Sequence, residues 1–180
     1  LLHYGAPGEQ MPYAFGPTDA VEFPVRCAQW LNDAAREYRV PTGKALDIGC
    51  AVGRASFELA RAYRQVVGID LSRAFIDAAD VLRRQGELSY FRKDEGRLGV
   101  TLNARVDPAI ERNRVTFRQA DACGLPAELQ DFDAVLLANL LCRLPSPKAL
   151  LGRLGGPMGL VKPGGLLAIF SPYSWLEPFT

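Results

Sequence analysis

The stretch Lys44-Ala-Leu-Asp-Ile-Gly-Cys-Ala-Val-Gly-Arg54, followed by Val66-Val-Gly-Ile-Asp70, is compatible with few folds. An apolar run enters a tight turn with glycines at 49 and 53, a helical pattern follows, and a second apolar run ends on an acid. Glycine lets the backbone turn sharply, approach a ligand closely and present N–H groups at the start of a helix. An acid at the tip of the next strand, about 20 residues beyond the turn, accepts both hydroxyls of a ribose. The pattern predicts a nucleoside-binding βαβ unit in an α/β domain with a mostly parallel central sheet.

Two details separate the candidate nucleosides. Gly49-Cys-Ala-Val-Gly53 departs from G-x-G-x-x-G because Ala51 stands at the second glycine position. Asp47, just before the first glycine, repels a pyrophosphate but suits the ammonium group of a methionine tail. Both favour S-adenosylmethionine, with S-adenosylhomocysteine as product, over a dinucleotide. A glycine pair with no ligand at all is the plainer alternative, and Asp47 and Asp70 in register weigh against it.

At 180 residues and 48% hydrophobic content, the chain predicts one domain, with an aromatic segment at 1–23 and a core at 24–180. A net charge of +1 makes no electrostatic case for nucleic acid, and no run reaches the length of a membrane span. Cys27, Cys50, Cys123 and Cys142 lack metal-binding spacing and read as reduced thiols of a cytoplasmic protein. No metal is expected. His3 is the single histidine, which rules out a catalytic triad or a histidine-rich metal site by count. The first residues show neither an initiator methionine nor a signal-peptide pattern, as expected of a segment from a longer chain.

The region through Thr18 is rich in glycine, proline and aromatics (Tyr4, Tyr13, Phe15) and predicts a lid over the site. Pro24 opens a helix whose apolar face is Cys27, Trp30, Leu31, Ala34, Ala35 and Tyr38. Strands are expected at 44–48, 66–69, 114–119, 133–138 and 166–170. The helix after Gly53 is expected to bury Val52, Ser56, Leu59, Ala60 and Tyr63. Ser72 caps the helix that buries Phe75, Ala79 and Leu82. Segments 87–93 and 97–103 predict an inserted β-hairpin. A helical turn is expected at 108–112, a helix from Pro147 through Leu154, and a turn at 162–165 before the last strand.

Ligands of open α/β sheets bind beyond the carboxyl ends of the strands. The expected cofactor set is therefore Asp47, Gly49, Cys50, Ala51, Gly53, Arg54, Asp70, Leu71, Ser72, Phe75, Asp121, Ala122, Cys123, Asn139 and Leu140. Asp121 would meet the adenine amino group, Leu71 and Phe75 would sandwich the base, and Asn139 would lie where methyl and acceptor meet.

These elements in this order resemble a Rossmann-like class I methyltransferase. The phrases Asp47-Ile-Gly-Cys-Ala-Val-Gly-Arg-Ala-Ser-Phe-Glu-Leu-Ala60, Asp121-Ala-Cys123, Ala138-Asn-Leu-Leu-Cys-Arg-Leu144 and Ser171-Pro-Tyr-Ser-Trp-Leu-Glu177 are similar to the 4-mercaptohistidine N1-methyltransferases. His3-Tyr-Gly5 and the hairpin with Glu95-Gly96 also fit that family. It is the methyltransferase domain of ovothiol-forming enzymes, and implies an iron-dependent sulfoxide synthase as a fused or separate partner. The resemblance implies methyl transfer to an imidazole nitrogen of 5-thiohistidine, giving ovothiol A. It also implies two further strands after Thr180, whose absence from the chain would leave the last strand an open edge.

An imidazole with a pKa of about 6.5 already offers a lone pair at neutral pH, so alignment and desolvation matter more than a strong base. On this reading Asn139 and Tyr173 are the catalytic candidates. Tyr4, Tyr13, Phe15, Tyr173 and Trp175 line the acceptor, and Arg26 or Arg143 meets its carboxylate. Methylation of another small molecule, a non-catalytic module of the same fold and a nicotinamide-dependent reductase remain alternatives at this level.

Overall fold

Two strands buried on both faces organise the molecule: β1 (Lys44–Ile48) and β6 (Phe132–Ala138). In the computed structural model, which describes residues 1–5, 7–10 and 18–175, they lie side by side in a five-stranded sheet. The order is β5-β2-β1-β6-β7, every pair parallel, with β2 at Gln65–Asp70, β5 at Val115–Gln119 and β7 at Val161–Phe170. Strands at the centre of a parallel sheet lose contact with water on both sides, hence the unbroken apolar run from Ala134 to Ala138.

Alternation along β1 assigns its side chains to two cores. Ala45 faces α2 (Phe23–Glu37) and α3 (Arg54–Leu59), among Ala28, Leu31, Phe57 and Leu59. Leu46 and Ile48 face the opposite layer, with Ile69, Val135, Leu137 and Leu150 of the short helix α5 (Pro147–Leu151). Helix α4 (Arg73–Gln85) packs on β2 and β5 through Ile76, Ala79 and Leu82, and α1 (Pro7–Gln10) lies near the chain start. Asp133 takes the Lys44 N–H at 2.7 Å and pairs with the Lys162 ammonium, tying β1, β6 and β7 at their starts.

The expected hairpin is present as β3 (Glu87–Glu95) and β4 (Leu98–Arg105), antiparallel, forming its own two-stranded sheet. Ala104 anchors it in the first core, and the Tyr90 hydroxyl donates to Gln10 at 2.9 Å.

Several local expectations are corrected. Trp30 and Tyr38 are exposed; the Trp30 ring packs edge-on against Phe170, 5.8 Å away, instead of entering the core. Tyr63 is fully buried, but beyond the end of α3, where the chain leaves the helix and turns inward. Ile76, not Phe75, fills the buried face of α4; Phe75 stands exposed on its first turn. Where a helical turn is expected over 108–112, a hydrogen-bonded turn closes with Ile110 N–H on the Asp107 carbonyl at 2.9 Å, and a separate 3-10 helix follows at Arg112–Arg114. Helix α5 stops at Leu151, short of Leu154. Strand β7 begins at Val161, because Phe132 pairs with Val161 before a register shift that absorbs 162–165.

Candidate functional site

The turn leaving β1 is stitched to the end of β2. Gly49 and Cys50 both donate their N–H to the Ile69 carbonyl, at 2.8 and 2.9 Å. Gly53 donates to Cys50, and Ala51 donates to the Asp70 carboxylate at 2.9 Å. An anion-binding turn must keep such donors free. Here Gly49, Cys50, Ala51 and Gly53 spend theirs within the protein, which weighs against a pyrophosphate at this turn. That weighs against the reductase alternative.

The two glycines serve different ends. Gly49 has φ +77, and a Cβ there would come within 2.9 Å of Leu140, so it lets the backbone pass between two cavities. Gly53, at φ +81, would meet the Phe117 ring at 2.4 Å. Gly53 therefore admits Phe117 to the core, and it is not among the residues lining the two cavities beside the turn.

On one side of the turn lies a cavity of about 250 Å³. Ile48, Ile69, Leu71, Ala122 and Leu140 make its apolar wall, with Asp70 and Asp121 among its polar lining. Asp70 accepts N–H groups from Ala51 and, at 2.8 Å, from Ser72; each carboxylate oxygen keeps a second lone pair. Asp121 accepts the Cys123 N–H at 2.8 Å, which orients its carboxylate. Ser72 caps α4 by accepting from Phe75 N at 3.4 Å, as expected, but the Phe75 ring is not among the cavity walls. Arg143 lines this cavity rather than the acceptor side, a second correction.

On the other side is a cavity of about 180 Å³ sharing Gly49. Asp47, Cys50, Arg54 and Asn139 line it, and so does His3, a residue with no assigned role in the sequence reading. Asp47 is 2% exposed and accepts the Ser56 hydroxyl at 2.6 Å. Burial raises its pKa to about 6, the Ser56 hydrogen bond opposes the rise, and the Asp70 charge adds to it. A bound cation would relieve this. Burial pushes the Cys50 thiol well above its ordinary range, and it faces the Ala51 carbonyl, which makes it a neutral thiol and no nucleophile. Asn139 ends β6 at φ +55 with its N–H on Phe170, and its side chain is exposed rather than buried and satisfied.

The chain start closes against this cavity. The Tyr4 hydroxyl donates to Val52 at 2.8 Å, and the Arg54 guanidinium lies 5.3 Å from the Tyr4 ring centroid. Arg54 also donates to the His3 carbonyl at 3.0 Å and pairs with buried Glu58. Tyr4 is therefore a strut under the segment rather than part of the cavity wall. Arg26 reaches the Asp19 carbonyl instead of the site. Tyr173 is 90% exposed and Trp175 is exposed too; neither lines either of the two cavities beside the turn. Tyr13 and Phe15 lie outside the described residues. Among the described residues no His/Cys/Asp/Glu cluster suits a metal, and no helix is long and apolar enough to cross a membrane.

A family model described as "Methyltransferase domain" matches residues 46–169, from β1 through the stitched turn, Asp70, Asp121 and Asn139 to β7. The chain belongs to this methyltransferase domain family. Solved structures share the methyltransferase-domain fold. The [4+2]-cyclase SpnF is 23% identical with a TM-score of 0.56, covering 86% of this chain and 46% of its own. YcgJ of Bacillus subtilis is 14% identical with a TM-score of 0.56, covering 79% and 49%. The glycopeptide N-methyltransferase MtfA, solved with sinefungin, is 18% identical with a TM-score of 0.53, covering 78% and 52%. The methyltransferase domain described here thus spans about half the length of these structures.

His3 is the site residue that sequence reading missed. Nothing in its spacing ties it to Asn139, 136 positions later; only the folding of the chain start onto Val52 and Arg54 brings it there.

Proposed function

We propose that this domain transfers a methyl group from S-adenosylmethionine to a small molecule, and that the acceptor is an imidazole nitrogen of 5-thiohistidine. The observation that carries the cofactor assignment is Asp70: an acid at the tip of β2, fixed by two backbone N–H groups and open on both oxygens beside an apolar cavity. That is the donor-seeking surface a ribose diol needs, and four N–H groups of the loop beside it are already spent within the protein.

The residues fit the cofactor's parts. Asp70 takes the ribose hydroxyls, Asp121 the adenine amino group, and the wall of Ile48, Ile69 and Leu71 the base. Asp47 meets the ammonium of the methionine tail. The bound cofactor supplies an electrophilic methyl on a sulfonium sulfur. Asn139, with an exposed amide at the end of β6, orients the acceptor in the second cavity. Holding the acceptor in this cavity aligns its lone pair with the transferred methyl.

The acceptor assignment rests on the resemblance of 47–60, 121–123, 138–144 and 171–177 to 4-mercaptohistidine N1-methyltransferases, and an iron-dependent sulfoxide synthase would supply the sulfoxide conjugate from which thiohistidine is released. Mass spectrometry of reactions with S-adenosylmethionine and either 5-thiohistidine or histidine tests it. A one-methyl mass gain on 5-thiohistidine alone supports the reading. Turnover of neither, with S-adenosylhomocysteine still bound in calorimetry, moves the assignment to another acceptor. No binding overturns the cofactor assignment.

A further inference from the structure

His3 is held from three directions beside the second cavity. Its backbone carbonyl accepts from Arg54 at 3.0 Å, and the neighbouring Tyr4 is pinned by Val52. Its ring nitrogen Nδ1 lies 2.7 Å from the carbonyl of buried Val21. A carbonyl oxygen can only accept, so Nδ1 carries the proton of that hydrogen bond. In the neutral ring the lone pair is then on Nε2, which has no partner among the described residues. The imidazole is exposed and lines the cavity that Asn139 and Asp47 also line.

No other group there can both take up a proton and pass it to solvent. Asp47 is buried under Ser56 and placed to meet a cation, the Cys50 thiol is held neutral by burial, Asn139 takes no proton, and Arg54 carries only donors.

We infer that His3 Nε2 accepts the N–H of an azole acceptor, selecting its tautomer and receiving its proton. The inference rests on the methyltransferase reading above and names the residue that decides which nitrogen is methylated. An azole whose N–H points at His3 presents its other nitrogen's lone pair away from His3, toward the transferred methyl. As the new nitrogen–carbon bond forms, the sulfonium carbon–sulfur bond breaks and its electron pair stays on sulfur. The azole N–H proton passes to Nε2. The exposed imidazolium then releases it to water, so charge and protons balance.

Because His3 is the single histidine of the chain, its ring nitrogens give one unambiguous pair of signals in a histidine-selective 15N NMR spectrum. The resting protein is expected to show the Nδ1–H tautomer. Adding S-adenosylhomocysteine with 5-thiohistidine, a complex that cannot react, shifts Nε2 and leaves Nδ1 protonated. His3→Phe lowers kcat by about a hundredfold and His3→Gln, which accepts a hydrogen bond but not a proton, by less. Both keep the S-adenosylhomocysteine affinity to within about threefold. An Nε2–H tautomer, or a His3→Phe enzyme with kcat within about threefold of wild type, overturns the inference. Failure of S-adenosylhomocysteine to bind the wild-type protein overturns the methyltransferase reading itself, a result the resting tautomer does not share.

Discussion

The carboxylate of Asp70, at the end of β2, accepts the N–H of Ala51 at 2.9 Å and so holds the turn that leaves β1. Ala51 sits at φ +48, a conformation that costs a non-glycine residue about 1–2 kcal/mol, and the charged hydrogen bond offsets it. One residue therefore shapes the loop and, on the function proposed above, also presents the ribose acceptor.

Asp70→Asn keeps one acceptor oxygen and turns an amide N–H toward a backbone N–H. The loss of a charge-assisted bond of about 2 kcal/mol should weaken S-adenosylhomocysteine binding about thirtyfold in calorimetry. A dissociation constant within about threefold of wild type would show that Asp70 holds the loop without touching ligand.

Asp47 makes stability depend on pH. An unfolded aspartate titrates at about 3.9, and the folded one at about 6 because it is buried. Between these values the folded state holds more protons, so stability falls as pH rises through the window, by about 2–3 kcal/mol in all. Asp47→Asn should be more stable than wild type in urea unfolding at pH 7.5 and lose that advantage at pH 4. Equal effects at both values would contradict the raised pKa. The same variant should bind cofactor less well, as expected where a destabilised charge serves a site.

Gly53→Ala combines a left-handed backbone with a Cβ 2.4 Å from the Phe117 ring and should cost about 2–4 kcal/mol in urea unfolding. Gly96→Ala, in the hairpin turn at φ +54 with open space around it, carries only the backbone cost of about 1 kcal/mol. Equal losses in the two variants would mean that Phe117 yields and Gly53 serves only the turn.

Asn139 and Tyr173 separate the site as read from the sequence from the site as folded. Asn139→Gly, which tolerates φ +55, should lower kcat/KM on the methyl acceptor about tenfold or more. Tyr173→Ala should change it less than about threefold, since the ring is solvent-exposed and lines neither cavity. The reverse ranking would place the acceptor against the loop after β7.

Local patterning along the chain determined most of the sheet and the acidic residues and turn at its carboxyl ends. Period-two and unbroken apolar runs marked β1, β2, β5 and β6. Glycines at 49 and 53 marked the turn, Ser72 the helix cap, and Asp47, Asp70 and Asp121 the strand ends. These follow from residues a few positions apart, where backbone sterics and alternation suffice. What tertiary structure alone decided involves partners far apart in the chain. Val21 orients His3 from 18 positions away, Val52 holds Tyr4 from 48, and Phe117 gives Gly53 its role from across the sheet. Arg143 lines the cavity beside Asp70 and Leu71, not the one that Asn139 lines, because of where the turn after β6 folds. Such pairings are set by how layers stack and loops close, and no local periodicity records them.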